Sequence, residues 1–141
     1  MLGGGQAGCE AADFLSESRS ARVTILTTSP QVCRDVIHHE RVPLLRRLGD
    51  KGVRIIVTAS ALSYSSSTLR YSHRGEEKTL ECDYLIVAKG WRPNESLRES
   101  LEKKLAGKVF LIGDASSPRR ILEAMEDAVE AAEAINKSSN N

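Results

Sequence analysis

Met1-Leu2-Gly3-Gly4-Gly5-Gln6-Ala7-Gly8 opens the chain and carries the spacing G-x-G-x-x-G at Gly3, Gly5 and Gly8. That spacing suits the turn between a buried strand and a helix whose free N-terminal amides face a pyrophosphate. Gly3 permits the tight turn, Gly5 lets the backbone approach the phosphates, and Gly8 lets the helix pack closely on its strand. Alone the pattern is weak, and the strand that should precede it is reduced to Met1 and Leu2.

The next residues give the motif its context. Ala11, Ala12, Phe14 and Leu15 form an apolar stripe on a short helix that faces a sheet, and the polar run Ser16 to Ser20 ends it. Arg22-Val23-Thr24-Ile25-Leu26-Thr27 then reads as a β-branched strand, which completes the order of a βαβ unit. An acid about 20 residues after the glycines would bond adenosine ribose hydroxyls. Here the position holds Thr27, followed by Thr28 and Ser29, and no acid lies between Glu17 and Asp35. Small hydroxyl residues leave room for a 2′-phosphate, which Arg34 could answer; as a solvated loop residue Arg34 would need no such role.

Further on, His38 and His39 are adjacent and diverge on any regular element, so they do not form a metal site, and His73 lacks ligands at metal spacing. Pro43 suits the first turn of a helix bearing Leu44, Leu45 and Leu48, which Gly49 or Gly52 can end. Val53 to Val57 is a strand, and then a β-excursion of Leu62 to Tyr64, Thr68 to Ser72 and Thr79 to Cys82 replaces the next crossover helix. Asp83-Tyr84-Leu85-Ile86-Val87-Ala88 reads as a strand buried on both faces, running into Lys89-Gly90-Trp91-Arg92-Pro93-Asn94. Leu97, Leu101 and Leu105 share a helical face, and Lys108 to Ile112 is a further buried strand ending at Gly113-Asp114, where open α/β sheets bind ligands. Ser117 and Pro118 start a last helix with the stripe Ile121, Leu122, Met125, Ala128, Val129, Ala132 and Ile135, and Asn136 to Asn141 fray. Arg119 and Arg120 fall in its first turn against the helix dipole; a phosphate would offset this, or the stems lie on the surface with solvated heads.

The 141 residues suit one domain-sized core, and 20 Lys and Arg against 19 Asp and Glu give a net charge of +1, which points to neither nucleic acid nor membrane. Apolar residues make up 40% and aromatics 4%, a profile of packed helices and buried strands rather than a base-stacking surface. Cys9, Cys33 and Cys82 are odd in number and lack C-x-x-C spacing, so reduced thiols and a cytoplasmic setting are expected. No membrane span or signal peptide is expected.

Three stretches together resemble the pyridine-nucleotide region of two-dinucleotide-domain flavoprotein oxidoreductases. They are Gly3 to Glu10, Asp83 to Asn94, and Val109-Phe110-Leu111-Ile112-Gly113-Asp114 continuing through Ser117-Pro118-Arg119-Arg120-Ile121. The chain looks most like the C-terminal part of the NADH:flavin oxidoreductase / 2,4-dienoyl-CoA reductase family, relatives of old yellow enzyme. The resemblance implies an α/β fold: a Rossmann-like parallel sheet with a β-meander excursion and a largely missing first strand. It implies an NAD(P)-binding domain over 1–94 and, over 95–141, the return half of an FAD-binding domain. NAD or NADP would lie on Gly3, Gly5 and Gly8, with Glu10 near the nicotinamide side, Thr27 and Arg34 toward the adenosine, and Gly90 allowing close approach. Gly113 and Asp114 would hold FAD in the intact family context.

The departures are the absent flavin half, the absent barrel that carries FMN and an iron–sulfur cluster in larger members, and the lack of a catalytic acid or redox cysteine pair. With most of a central strand missing, apolar surface and backbone groups would be left uncovered. Two functions follow: hydride transfer from NAD(P)H to flavin, or a non-catalytic piece of a split or truncated flavoprotein that needs a flavin-domain chain or a second copy of itself. An unrelated α/β binding module with a fortuitous glycine loop would have to reproduce all three stretches.

Overall fold

In the computed structural model, residues 1–17 and 21–139 are described. They fall into two units, Met1–Gly90 and Trp91–Asn141. The sequence places this boundary slightly later, after Asn94.

The first unit is built around Leu2. It bridges Leu26 on one side and Val87 on the other, both in parallel. Leu2 N donates to Ile86 O at 2.8 Å and Ala88 N donates to Leu2 O at 2.7 Å, while Leu26 N donates to Met1 O and Gly3 N to Leu26 O, each at 2.9 Å. Strand β1 (Thr24–Leu26) pairs in parallel with β2 (Arg54–Ile56), placing Ile25 opposite Ile55. The parallel order is therefore Val87, Leu2, β1, β2, with the chain's first two residues in a central slot, as a Rossmann-like sheet requires.

One expectation fails here. Asp83 to Ala88 is not a strand buried on both faces: only Val87 joins a bridge, and Tyr84 and Val87 are 86% and 63% exposed. The reason is local. Among the described residues, the run's ladder bonds are confined to those of Ile86 O and Ala88 N with Leu2.

Helix α1 (Gln6–Leu15) follows the glycine loop and buries Gly8, Cys9 and Ala12. The expected stripe is corrected accordingly, since Phe14 points outward and is 73% exposed. Residues Ser18 to Ser20 of the expected polar run lie outside the described residues. Helix α2 (His38–Asp50) begins earlier than predicted, with Ile37 as its N-cap and Pro43 in its interior. Ile37 O accepts Glu40 N and Arg41 N at 3.0 and 2.9 Å, closing a turn before the proline, which forgoes only its own bond. Leu44 and Leu48 on α2 meet Cys9, Ala12 and Ile25 in one core. Asp13 of α1 ties the helices together through Arg47 at 2.8 Å and Lys51 at 2.7 Å.

Three antiparallel strands make up the excursion, β3 (Ala59–Ser65), β4 (Thr68–His73) and β5 (Glu76–Glu81), each longer than predicted. Two-residue turns connect them, at Ser66-Ser67 and at Arg74-Gly75, all four residues with positive φ as right-twisting hairpins prefer. Leu69 and Tyr71 of β4 cover Leu2, Leu26 and Ile56 in a second cluster.

The second unit contains helix α3 (Ser96–Glu102), a 3₁₀ turn (Gly113–Ala115) and helix α4 (Ile121–Ser139). Lys108 to Ile112 is not a buried strand; it carries no ladder, and Phe110 and Ile112 are exposed. An apolar run of this kind needs neighbouring strands, and none pairs with it among the described residues. Nor do Ser117 and Pro118 start α4, which begins at Ile121, so both arginines precede it; Glu123 instead reaches back to the Arg120 amide at 3.1 Å. The helix also continues through Asn136 to Ser139 rather than fraying there, while Asn140 and Asn141 lie outside the described residues. The stripe Ile121, Leu122, Met125 and Val129 lies on α4 but is exposed, and α3 buries no residue.

Candidate functional site

The loop before α1 has a shape that side chains would destroy. Gly3 has φ of +116°, and a Cβ there would stand 2.0 Å from Ala88 O. A Cβ on Gly8 would meet Gly3 O at 2.3 Å, so α1 lies directly against the loop's own backbone. Gly4, an unspecified position of the motif, is also confined, here by side chains: its Cβ would fall 2.7 Å from Val32 Cγ1 and 3.1 Å from Thr27. Sequence reasoning missed this third constraint, although the run of three glycines was its visible signal.

Gly5 is the N-cap of α1 and offers no side chain to its amides. Asp35 does so instead. Gln6 N donates to Asp35 Oδ1 and Oδ2 at 3.0 and 2.9 Å, and Oδ2 lies 3.0 Å from where a Gly5 Cβ would stand. The segment bearing Asp35 is fastened by Cys33 N, which donates to Gly4 O at 2.7 Å. No spacing rule singles out this acid, and only the fold brings it 29 residues back to the loop.

The remaining expected residues are placed as follows. Thr27 is buried against Gly4, and its hydroxyl accepts the Ser29 amide at 3.2 Å. Glu10 lies one turn along α1 and accepts Gln6 Nε2 at 2.9 Å. Arg34 is exposed beside Asp35. Gly90 has φ of +84° with open space around its Cβ position, so its backbone turn rather than crowding calls for glycine. The fold thus gathers Gly3, Gly5, Gly8 and Thr27 with Ala88 and Asp35.

The thiols of Cys9 and Cys33 are fully buried. Burial pushes both Cys9 and Cys33 up, and Cys9 rises further through its hydrogen bond with Cys33. All three cysteines are free.

In the second unit, Gly113 has φ of +58° and opens the 3₁₀ turn that presents the exposed Asp114. Asp127 of α4 holds this turn by accepting Gly113 N at 3.0 Å. Arg119 donates to both Asp127 oxygens at 2.7 and 2.6 Å, and this bond, with the Gly113 amide, holds the carboxyl below the usual carboxylate range. Arg119, still 41% exposed, has its counter-charge two turns into the helix that follows. Among the described residues, no helix is long and apolar enough to cross a membrane.

Against known proteins, the chain is 31% identical over 147 aligned residues to the dihydrolipoyl dehydrogenase of Staphylococcus aureus, covering 99% of this chain and 31% of that protein. It spans about a third of that relative's length. Among solved structures it is similar to a 2-naphthoyl-CoA reductase in complex with 2-naphthoyl-CoA, with a TM-score of 0.75 and 23% identity over 92% of this chain and 20% of the other. It is also similar to an engineered water-forming NADPH oxidase bound to NADPH, with a TM-score of 0.56 and 23% identity over 71% and 22%. These structural likenesses establish the Rossmann-like fold. The family described as pyridine nucleotide-disulphide oxidoreductase matches residues 1–132, nearly the whole chain, and the chain belongs to that family.

Proposed function

We propose that the first unit is the NAD(P)H-binding module of a flavin-dependent oxidoreductase, with Gly3, Gly5 and Gly8 holding the dinucleotide's pyrophosphate. The carrying observation is the loop itself: Gly3, Gly4 and Gly8 packed against Ala88 O, Val32 and Gly3 O at distances no side chain tolerates, leading into the N-terminus of α1. The loop fits the cofactor in that Gly5 has no side chain, so its donors toward an anion are backbone amides, the Gln6 amide being held here by the Asp35 carboxylate. The family uses FAD and NAD(P)H, whose chemistry when bound is hydride transfer from nicotinamide to flavin. This chain's part is to bind and orient. Thr27 shapes the loop floor, Arg34 is the candidate contact for a 2′-phosphate, Glu10 lies toward the nicotinamide, and Gly90 gives the backbone turn. In the second unit, Asp127 and Arg119 fix the turn from which Gly113 and Asp114 would meet FAD. We assign residues 1–94 to the dinucleotide domain and 95–141 to the return half of a flavin domain. The likeness of the three sequence stretches supports a place near the 2,4-dienoyl-CoA reductase branch, relatives of old yellow enzyme. Two buried free thiols support a reducing, cytoplasmic setting.

Calorimetric titration of the purified chain with NADH and with NADPH tests the reading: saturable heat with one of them is expected, and none with either refutes it.

A second reading is favoured by the exposed apolar faces of Tyr84, Val87 and the α4 stripe. In it the chain is non-catalytic alone, and the flavin half comes from a partner chain or another copy of itself. Sedimentation decides: this reading predicts a colourless, self-associating protein, and a yellow monomer contradicts it.

A further inference from the structure

We propose that Asp35 is an internal anion that takes the phosphate-facing amide of the Gly3 to Gly8 loop, so that a dinucleotide binds by displacing it. The inference rests on the dinucleotide reading above. Gln6 is the first residue of α1, and its N–H is among those with no partner inside the helix. Both Asp35 oxygens take it, at 3.0 and 2.9 Å. They do so on the side left open by the missing side chain of Gly5, where Oδ2 comes within 3.0 Å of the Cβ position. That opening is the one through which a phosphate would reach the loop backbone. One N–H cannot serve a carboxylate and a phosphate together, and the two anions repel at such range.

The tether makes displacement a side-chain event. Val32 packs on Gly4 and Cys33 N holds Gly4 O at 2.7 Å, so the segment carrying Asp35 is pinned to the loop it caps. Asp35 itself is exposed, and the tether runs through Val32 and the Cys33 amide rather than through its carboxylate. Without nucleotide, the carboxylate satisfies the helix terminus; with nucleotide, the phosphate inherits the amide.

The test compares the full-length chain with Asp35→Asn and Asp35→Ser by calorimetric titration with NADH and NADPH, alongside amide spectra that report folding. Both variants are expected to bind the preferred nucleotide about three- to tenfold more tightly, the scale of removing an anion from a helix N-terminus. Equal or weaker binding by the variants, with binding by the unaltered chain intact, overturns displacement and leaves the dinucleotide site standing. If none of the three proteins binds either nucleotide, the dinucleotide reading itself fails and displacement falls with it. Should the variants not fold, the carboxyl carbon resonance of Asp35 in the unaltered chain decides: it shifts on nucleotide addition if the carboxylate is displaced, and stays fixed if it remains on Gln6.

Discussion

Replacing Gly3 with alanine tests whether the loop's geometry is the real constraint. Two costs add. At φ of +116° an alanine sits in backbone space that L residues avoid, at about 1–2 kcal/mol. Its methyl would also stand 2.0 Å from Ala88 O, and neither flank yields freely: Gly3 N is bonded to Leu26 O at 2.9 Å and Ala88 N to Leu2 O at 2.7 Å. Relief means parting the ladder, and overpacking of this kind costs about 1–3 kcal/mol. The sum is about 2–5 kcal/mol. Gly75→Ala is the matched control, since Gly75 has φ of +81° but nothing within 4 Å of its Cβ position, so it carries only the first cost. Urea unfolding followed by circular dichroism gives both values. If Gly3→Ala destabilises no more than Gly75→Ala, the close approach to Ala88 does not constrain the loop and the reasoning fails.

Two further predictions concern titratable groups. Burial works against the Asp13 charge, but hydrogen bonds from Lys51 and Arg47 outweigh it and hold the carboxyl below its ordinary value. The bridge therefore stabilises the fold fully above about pH 4, the unfolded value, and fades as pH falls through the lower folded one. Asp13→Asn should cost about 1 kcal/mol in urea at pH 7, a difference that vanishes in acid; a constant difference across that range refutes the assignment. The thiols give a separate check. Cys82, half-buried, should react first with a thiol reagent at pH 8, while Cys9 and Cys33 react only after denaturant is added; three equal rates would contradict their burial.

The order of elements in the first unit was legible because each relies on short-range signals. The glycine spacing places the turn into α1, the β-branched run at Arg22 to Thr27 contains β1 at Thr24–Leu26, and the Leu44/Leu48 pair marks the buried face of α2, each from a few residues. Asp83 to Ala88 and Lys108 to Ile112 were not so legible, for a common reason. Hydropathy reports the cover a strand requires, whereas its burial depends on which neighbours stand beside it. Among the described residues, Val87 is bridged by Leu2, and beside Phe110 no strand is described. The partner of Arg119 was missed because helix-dipole reasoning considers only the helix end, while Asp127 reaches it from two turns along. Asp35 was visible only as the acid that ended an acid-free interval; its approach to Gln6 depends on the path of the whole loop after β1. The site residues, the glycines included, thus stand as proposals drawn from placement and from family likeness.

The central claim is that the Gly3 to Gly8 loop is a dinucleotide site. Amide spectra of the isotopically labelled chain, recorded while NADPH and then NADH are added, test it most directly. The account predicts saturable shifts concentrated at Gly3 to Gly8, with the meander from Ala59 to Glu81 unmoved. Shifts confined to the meander, or none at saturating nucleotide, would contradict it.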